Sequence, residues 1–159
     1  MSIKRLLDYD VFLIEPELFI SNRVREAFEK ADITGCEYLD VIDKRTKKPT
    51  KEIFQIKINP VLPNMIRDEY VYTQYVCPEC GEPSIQTASP FFYRLSDFEE
   101  KYDFYLSKES IFFDCRLHHL ASYRIPHIVI SKRVKKILEQ FSVKQCWYWP
   151  VYFEELFNE

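Results

Sequence analysis

The chain has 159 residues, 47% of them hydrophobic, with 13 Phe, 11 Tyr and 2 Trp and a formal net charge of −3. Its two glycines cannot build a dinucleotide fingerprint, a Walker loop or a kinase phosphate cover, each of which needs several glycines to bring backbone up to phosphate. A chain of this length is expected to form one domain, 1–159, burying roughly two-thirds of its unfolded surface, and its acidic balance gives no overall attraction to nucleic acid.

Met1 to Asp10 contains two basic residues but no sustained apolar run, which is not the pattern of a secretion signal. The apolar runs Val11 to Ile14 and Ile128 to Ile130 are strand-sized, far below the roughly 20 residues a bilayer requires. The expectation is a cytoplasmic protein that crosses no membrane.

Leu18 to Val41 aligns without a gap against Ile128 to Val151. Ile20/Ile130, Ser21/Ser131, Arg23/Arg133, Val24/Val134, Glu29/Glu139, Cys36/Cys146, Tyr38/Tyr148 and Val41/Val151 are identical pairs. In each copy a short apolar strand runs into a serine whose hydroxyl suits a helix N-cap. Val24, Ala27, Phe28 and Ala31, and then Val134, Ile137, Leu138 and Phe141, follow at the three-and-four spacing of a buried helical stripe. Arg23, Arg25, Lys132 and Lys135 are expected to face water. Cys36 to Asp43 and Cys146 to Phe153 are rich in aromatic and β-branched residues and predict a second strand in each copy. Cys36 and Cys146 are read as core thiols.

Lys44 to Lys51 reads as a basic hairpin loop, and Phe54, Ile56 and Ile58 alternate with polar residues as in a half-exposed strand. Glu69 to Val76 predicts another strand, leading into Cys77-Pro-Glu-Cys-Gly81, where the chain must turn. Leu95 to Leu106 suggests an acidic helix with Ser96 near its cap. Glu99, Glu100 and Asp103 on it read as solvated charges. The fold class that follows is α+β, two strand-helix-strand copies around a strand-rich middle, 69–119.

The knuckle Cys77 to Gly81 places two thiolates on one tight turn, as structural zinc sites do. Cys115-Arg-Leu-His118 repeats the spacing and would complete a Cys3His site from Cys77, Cys80, Cys115 and His118, with His119 and His127 competing for the fourth place. The interval between Cys80 and Cys115 exceeds the roughly 15 to 20 residues of compact zinc ribbons, and a knuckle without metal is the alternative. A redox role needs a helix after the first thiol, and Gly81 to Pro90 is a poor helix. No nucleophile with a positioned base stands out, and no catalytic residue is expected.

The segment Pro16 to Tyr38, with its serine cap, amphipathic helix and Ile33-Thr34-Gly35 before a strand, resembles immunity proteins of bacterial polymorphic toxin systems. Cys77 to Gly81 followed by Ile128 to Val151 is similar to the related double-CxxCG motif proteins, though one knuckle stands here instead of two. The resemblance implies a cytoplasmic protein that neutralises a cognate toxin by stoichiometric binding, with no catalytic residue. The alternative from composition and motif is a zinc-ribbon adaptor or nucleic-acid-binding module using Lys132 to Lys136.

Overall fold

The computed structural model describes residues 8–14, 17–66, 71–76, 83–87, 91–98, 100–112, 124–144, 148 and 150–156. The fold is α+β. Its elements are β1 (Val11–Ile14), β2 (Glu17–Ser21), α1 (Asn22–Lys30), β3 (Cys36–Ile42), β4 (Pro49–Ile58), β5 (Val71–Val76), β6 (Pro83–Thr87), β7 (Phe91–Tyr93), β8 (Phe104–Phe112), β9 (Arg124–Ile130), α2 (Lys132–Leu138), β10 (Val143–Lys144) and β11 (Val151–Phe153). Two compact units form, one from Met1–Pro60, Tyr102–Tyr105 and Val129–Trp147, the other from Val61–Lys101, Leu106–Ile128 and Tyr148–Glu159.

In the first unit five strands lie in the order β10-β1-β2-β4-β3. β4 runs antiparallel to both β2 and β3, so β2 and β3 are parallel with β4 between them, and α1 makes the crossover. The register sets Leu18 opposite Ile56 and Ile20 opposite Phe54, with Val11 opposite Ile20. Because side chains alternate faces along a strand, these five share one face, and all are buried.

The α1 helix forms where its stripe is expected. Ser21 Oγ accepts from the Val24 amide, Val24 and Phe28 are fully buried, and an Arg25–Glu29 pair one turn apart braces the outer face. Burying Val24 and Phe28 contributes about 2–3 kcal/mol each. Phe28 meets Phe104 edge to face at 5.7 Å between ring centroids. The helix stops at Asp32, whose φ of 48° turns the chain so that the Ile33 amide reaches back to the Phe28 carbonyl. Arg25, expected in water, instead lies half-buried with its guanidinium 4.3 Å from the Phe54 ring centroid, since an arginine stem can cover an aromatic face.

The second helix, α2, repeats the plan: Ser131 Oγ accepts from the Val134 amide, and Val134 and Leu138 are buried. Beyond it the two copies diverge. Of the expected strand Cys146 to Phe153 the described residues form only β11, paired parallel to β7 in the second unit; the short β10, paired parallel to β1, lies just before it. Pro150 between them has no amide hydrogen to give a ladder.

In the second unit β5 and β6 pair antiparallel, with Val76 opposite Pro83. Leu62, Met65, Phe91 and Tyr93 are buried, and Phe98 packs edge-on against both Tyr93 and Phe153. The acidic helix expected over Leu95 to Leu106 does not form. A 3-10 turn covers Leu95–Phe98, Lys101 adopts φ 50°, which no α-helix contains, and β8 starts at Phe104. Aromatic packing overrides the acidic helical pattern here: Phe104 is fully buried against Phe28, and Phe98 packs on Tyr93 and Phe153. Among the described residues no helix is long and apolar enough to cross a membrane.

Candidate functional site

Cys77, Cys80, Cys115 and His118, the expected zinc ligands, lie outside the described residues, as do His119 and Cys146. His127, the other contender for the fourth place, is half-buried in β9, its ring edge-on to Phe91 at 4.6 Å and its amide donating to Ser107 Oγ over 2.8 Å. Cys36 is partly rather than fully buried; burial and the nearby Asp103 charge push its thiol pKa up to about 11, against the opposing hydrogen bond with Tyr38. A thiol so placed is a poor nucleophile, because the thiolate is the reactive form.

The polar side chains that the first unit draws together are centred on two aspartates, Asp10 and Asp103. Asp103 sits just before β8 with 5% of its surface exposed. Its Oδ1 accepts from Ser131 Oγ at 2.7 Å and Arg133 Nε at 3.2 Å. Its Oδ2 accepts from an Arg133 terminal nitrogen at 2.6 Å and from the Thr34 amide at 3.1 Å and hydroxyl at 3.3 Å. Asp10 sits just before β1 and repeats the arrangement. Its Oδ1 accepts from Ser21 Oγ at 2.8 Å and pairs with Arg23 at 3.6 Å, while its Oδ2 accepts from the Ser142 amide and hydroxyl.

Backbone contacts follow the same symmetry. The Ser21 and Ser131 amides donate to the carbonyls of Asp10 and Asp103, and the amides of Asp10 and Asp103 donate to the carbonyls of Ser142 and Thr34. Each aspartate thus binds the helix start of its own copy and the segment after the helix of the other copy. The repeat is longer than the aligned segments, since Tyr9-Asp10 with Leu13 matches Tyr102-Asp103 with Leu106. It also carries a step: Thr34 is the counterpart of Ser142, whereas the gapless alignment sets Thr34 against Lys144. The lengths of the helices explain the step, nine residues in α1 and seven in α2.

Gly35 completes this arrangement. Its φ of 86° suits glycine, and an added Cβ would overlap the Phe104 carbonyl oxygen and come within 2.9 Å of Tyr102 Cβ.

Burial opposes charge on both aspartates, yet the hydrogen bonds and arginines outweigh it and hold both carboxyls below their usual range. Such a carboxylate is a weak base with its lone pairs already occupied. The two clusters lock helices to strands, and the Ser131 hydroxyl, which donates to Asp103 and accepts from an amide, is a cap and not an activated nucleophile. Sequence reasoning placed Asp103 among solvated charges; the paired Tyr-Asp and Leu pattern was the signal that could have found it.

What the first unit offers a partner is its surface. The β3–β4 turn presents Lys44, Arg45, Lys47, Lys48 and Lys51, all exposed, and α2 presents Lys132, Lys135 and Lys136, also exposed. Lys135 pairs with Glu139 at 3.7 Å and Arg133 is committed to Asp103. Ile42 and Leu39 on β3 are 54% and 38% exposed. Compared with models of protein families, with curated proteins and with solved structures, the chain has no match.

Proposed function

We propose that the chain is an immunity protein, which binds a cognate bacterial toxin one to one and blocks its active site or substrate entry without performing chemistry of its own. The observation that carries this reading is the likeness of Pro16 to Tyr38 to immunity proteins. The geometry supports it in one respect. The serine, the arginine and Thr34 of that segment belong to the clusters around Asp10 and Asp103, and Gly35 packs closely on Phe104 beside them, so the motif describes a frame on which a variable surface can be carried. Toxin-facing residues then belong to the exposed positions at which the two copies differ, such as Glu26 against Lys136.

Co-expression with the product of the neighbouring gene tests the proposal. A toxic neighbour whose effect is relieved by this chain, and which co-purifies with it, is the expected result; a neighbour that neither binds nor loses toxicity rejects it. The alternative, a zinc-ribbon adaptor or nucleic-acid-binding module acting through Lys132 to Lys136, draws less support, because Lys135 and Arg133 already have partners. It requires binding to DNA or RNA that weakens steeply with salt, and no binding at low salt disposes of it.

A further inference from the structure

The β3–β4 hairpin is a built projection at the margin of the five-stranded sheet, since β3 is the last strand in the order. Ile42 pairs with Pro49 at its base. The Asp43 amide donates to the Lys48 carbonyl, and the Lys47 amide to the Asp43 carbonyl. The Asp43 carboxylate accepts from the amides of Arg45 at 2.7 Å and Thr46 at 3.3 Å. That carboxylate is therefore occupied by the turn. Lys44, Arg45, Lys47, Lys48 and Lys51 stand exposed around it, and none of them makes an ion pair among the described residues.

The charge is also unevenly placed. Asp43 to Glu52 carries five cations and two carboxylates, a net +3, in a chain of net −3, so the remainder carries −6. A nucleic acid, anionic along its whole length, would meet that remainder as well as the tip and be repelled by it. The stretch from Asp43 to Glu52 also holds no aromatic residue on which a base could stack. A compact patch of carboxylates on a folded protein suits the tip better. Ile42, more than half exposed at its base, adds an apolar contact of the kind that anchors interfaces beside charge.

We propose that the hairpin tip, Ile42 to Lys51, is a docking element for a carboxylate-rich protein surface. This deepens the immunity reading and rests on it only for the identity of the partner: the toxin surface that receives the hairpin is acidic. Electrostatic complementarity of this kind speeds encounter and sets orientation more than it adds raw affinity.

The test has two arms. In the first, full-length protein is titrated with a polyglutamate peptide of about 20 residues and, separately, with single-stranded DNA of about 20 nucleotides at low salt, where surface charge is least screened, with backbone amide shifts as the readout. Peptide-induced shifts centred on the tip are expected. Lys44→Glu, Arg45→Glu and Lys48→Glu together should weaken the peptide by about tenfold or more, and Lys132→Glu, Lys135→Glu and Lys136→Glu by about threefold or less. Equal losses in the two variants, or DNA bound more tightly than peptide, overturn the proposal. The turn is made by Asp43 and backbone groups, so an unchanged melting temperature is the check that the hairpin variant is folded.

In the second arm the same two variants are co-expressed with the neighbouring gene's product. Loss of protection by the hairpin variant alone supports the docking element. A toxin bound equally well by the hairpin variant overturns it and leaves the immunity function standing. A neighbour that does not bind the natural chain rejects the immunity function, and the peptide arm then decides the hairpin by itself.

Discussion

Arg133 reaches both oxygens of Asp103, at 3.2 and 2.6 Å, and a further terminal-nitrogen bond to the Asp32 carbonyl at 3.0 Å places the guanidinium across the end of α1. Asp103 is thereby the meeting point of the second helix start and the first helix end. Asp103→Ala leaves the Thr34 amide and the Ser131 hydroxyl without their acceptor, and bonds to a charged group are worth more than neutral ones. A loss of about 2–4 kcal/mol in urea unfolding is expected. Asp10→Ala should cost less, about 1–2 kcal/mol, because its side chain is 13% exposed and its arginine 74% exposed. Equal effects of the two substitutions would contradict the inequality of the two clusters.

Acid should find the same carboxylates. Both have lower pKa values folded than the reference 3.8, so the folded state favours their charged forms. Their contribution is complete above the unfolded pKa and is lost as pH falls through the lower folded value. Unfolding followed at pH values from 6 down to 2.5 should show stability declining below about pH 4. Asp103→Asn should flatten that decline while lowering stability at pH 6; a variant with an unaltered acid limb would remove Asp103 from the account.

Gly35→Ala should also be damaging. The backbone there has a φ of 86°, and the new methyl group would meet main-chain atoms of Phe104 that cannot rotate aside. Strain of this kind costs about 1–3 kcal/mol before the overlap is relieved, so a loss above about 2 kcal/mol is expected by thermal or denaturant unfolding. Alanine tolerated without loss would mean that this approach of the two chain segments is looser than described.

Cys36 offers a chemical readout. With its pKa raised to about 11, the thiol should label slowly with iodoacetamide at pH 7.5 in the native protein and much faster in urea, as peptide mapping by mass spectrometry would record. Native labelling as fast as unfolded would show that burial does not protect it.

Zinc is open to direct measurement. Protein purified without a metal-affinity step is expected to hold about one equivalent on Cys77, Cys80, Cys115 and His118, lost in Cys77→Ser together with part of the stability. Less than about half an equivalent would identify a knuckle that no longer binds metal.

Much of the fold was legible because local signals agreed with their surroundings. The serine caps, the stripes Val24–Phe28 and Val134–Leu138 and the basic hairpin loop needed only nearby residues. The failures have a common origin. The helix expected at Leu95 to Leu106 and the single strand expected at Cys146 to Phe153 were decided by partners far away in the chain, such as Phe28 for Phe104 and β7 for β11. Asp103 was misplaced for the same reason: its ligands Thr34 and Ser131 lie on either side of it in sequence, 69 and 28 positions away. The candidate surface was partly legible, since the lysines of the hairpin were visible in the sequence, but their lack of ion pairs among the described residues and the exposure of Ile42 beside them were not.

The exchange in which Asp10 holds Ser142, 132 positions along the chain, carries a consequence for synthesis. β1 emerges early from the ribosome but cannot close its cluster until α2 has followed, and contacts of such long sequence separation slow folding. Until then its edge and its carboxylate wait in the nascent chain. Maturation of the first unit is therefore tied to completion of the second helix, and a truncated translation product that already contains the whole hairpin would still lack the latch that steadies the sheet behind it.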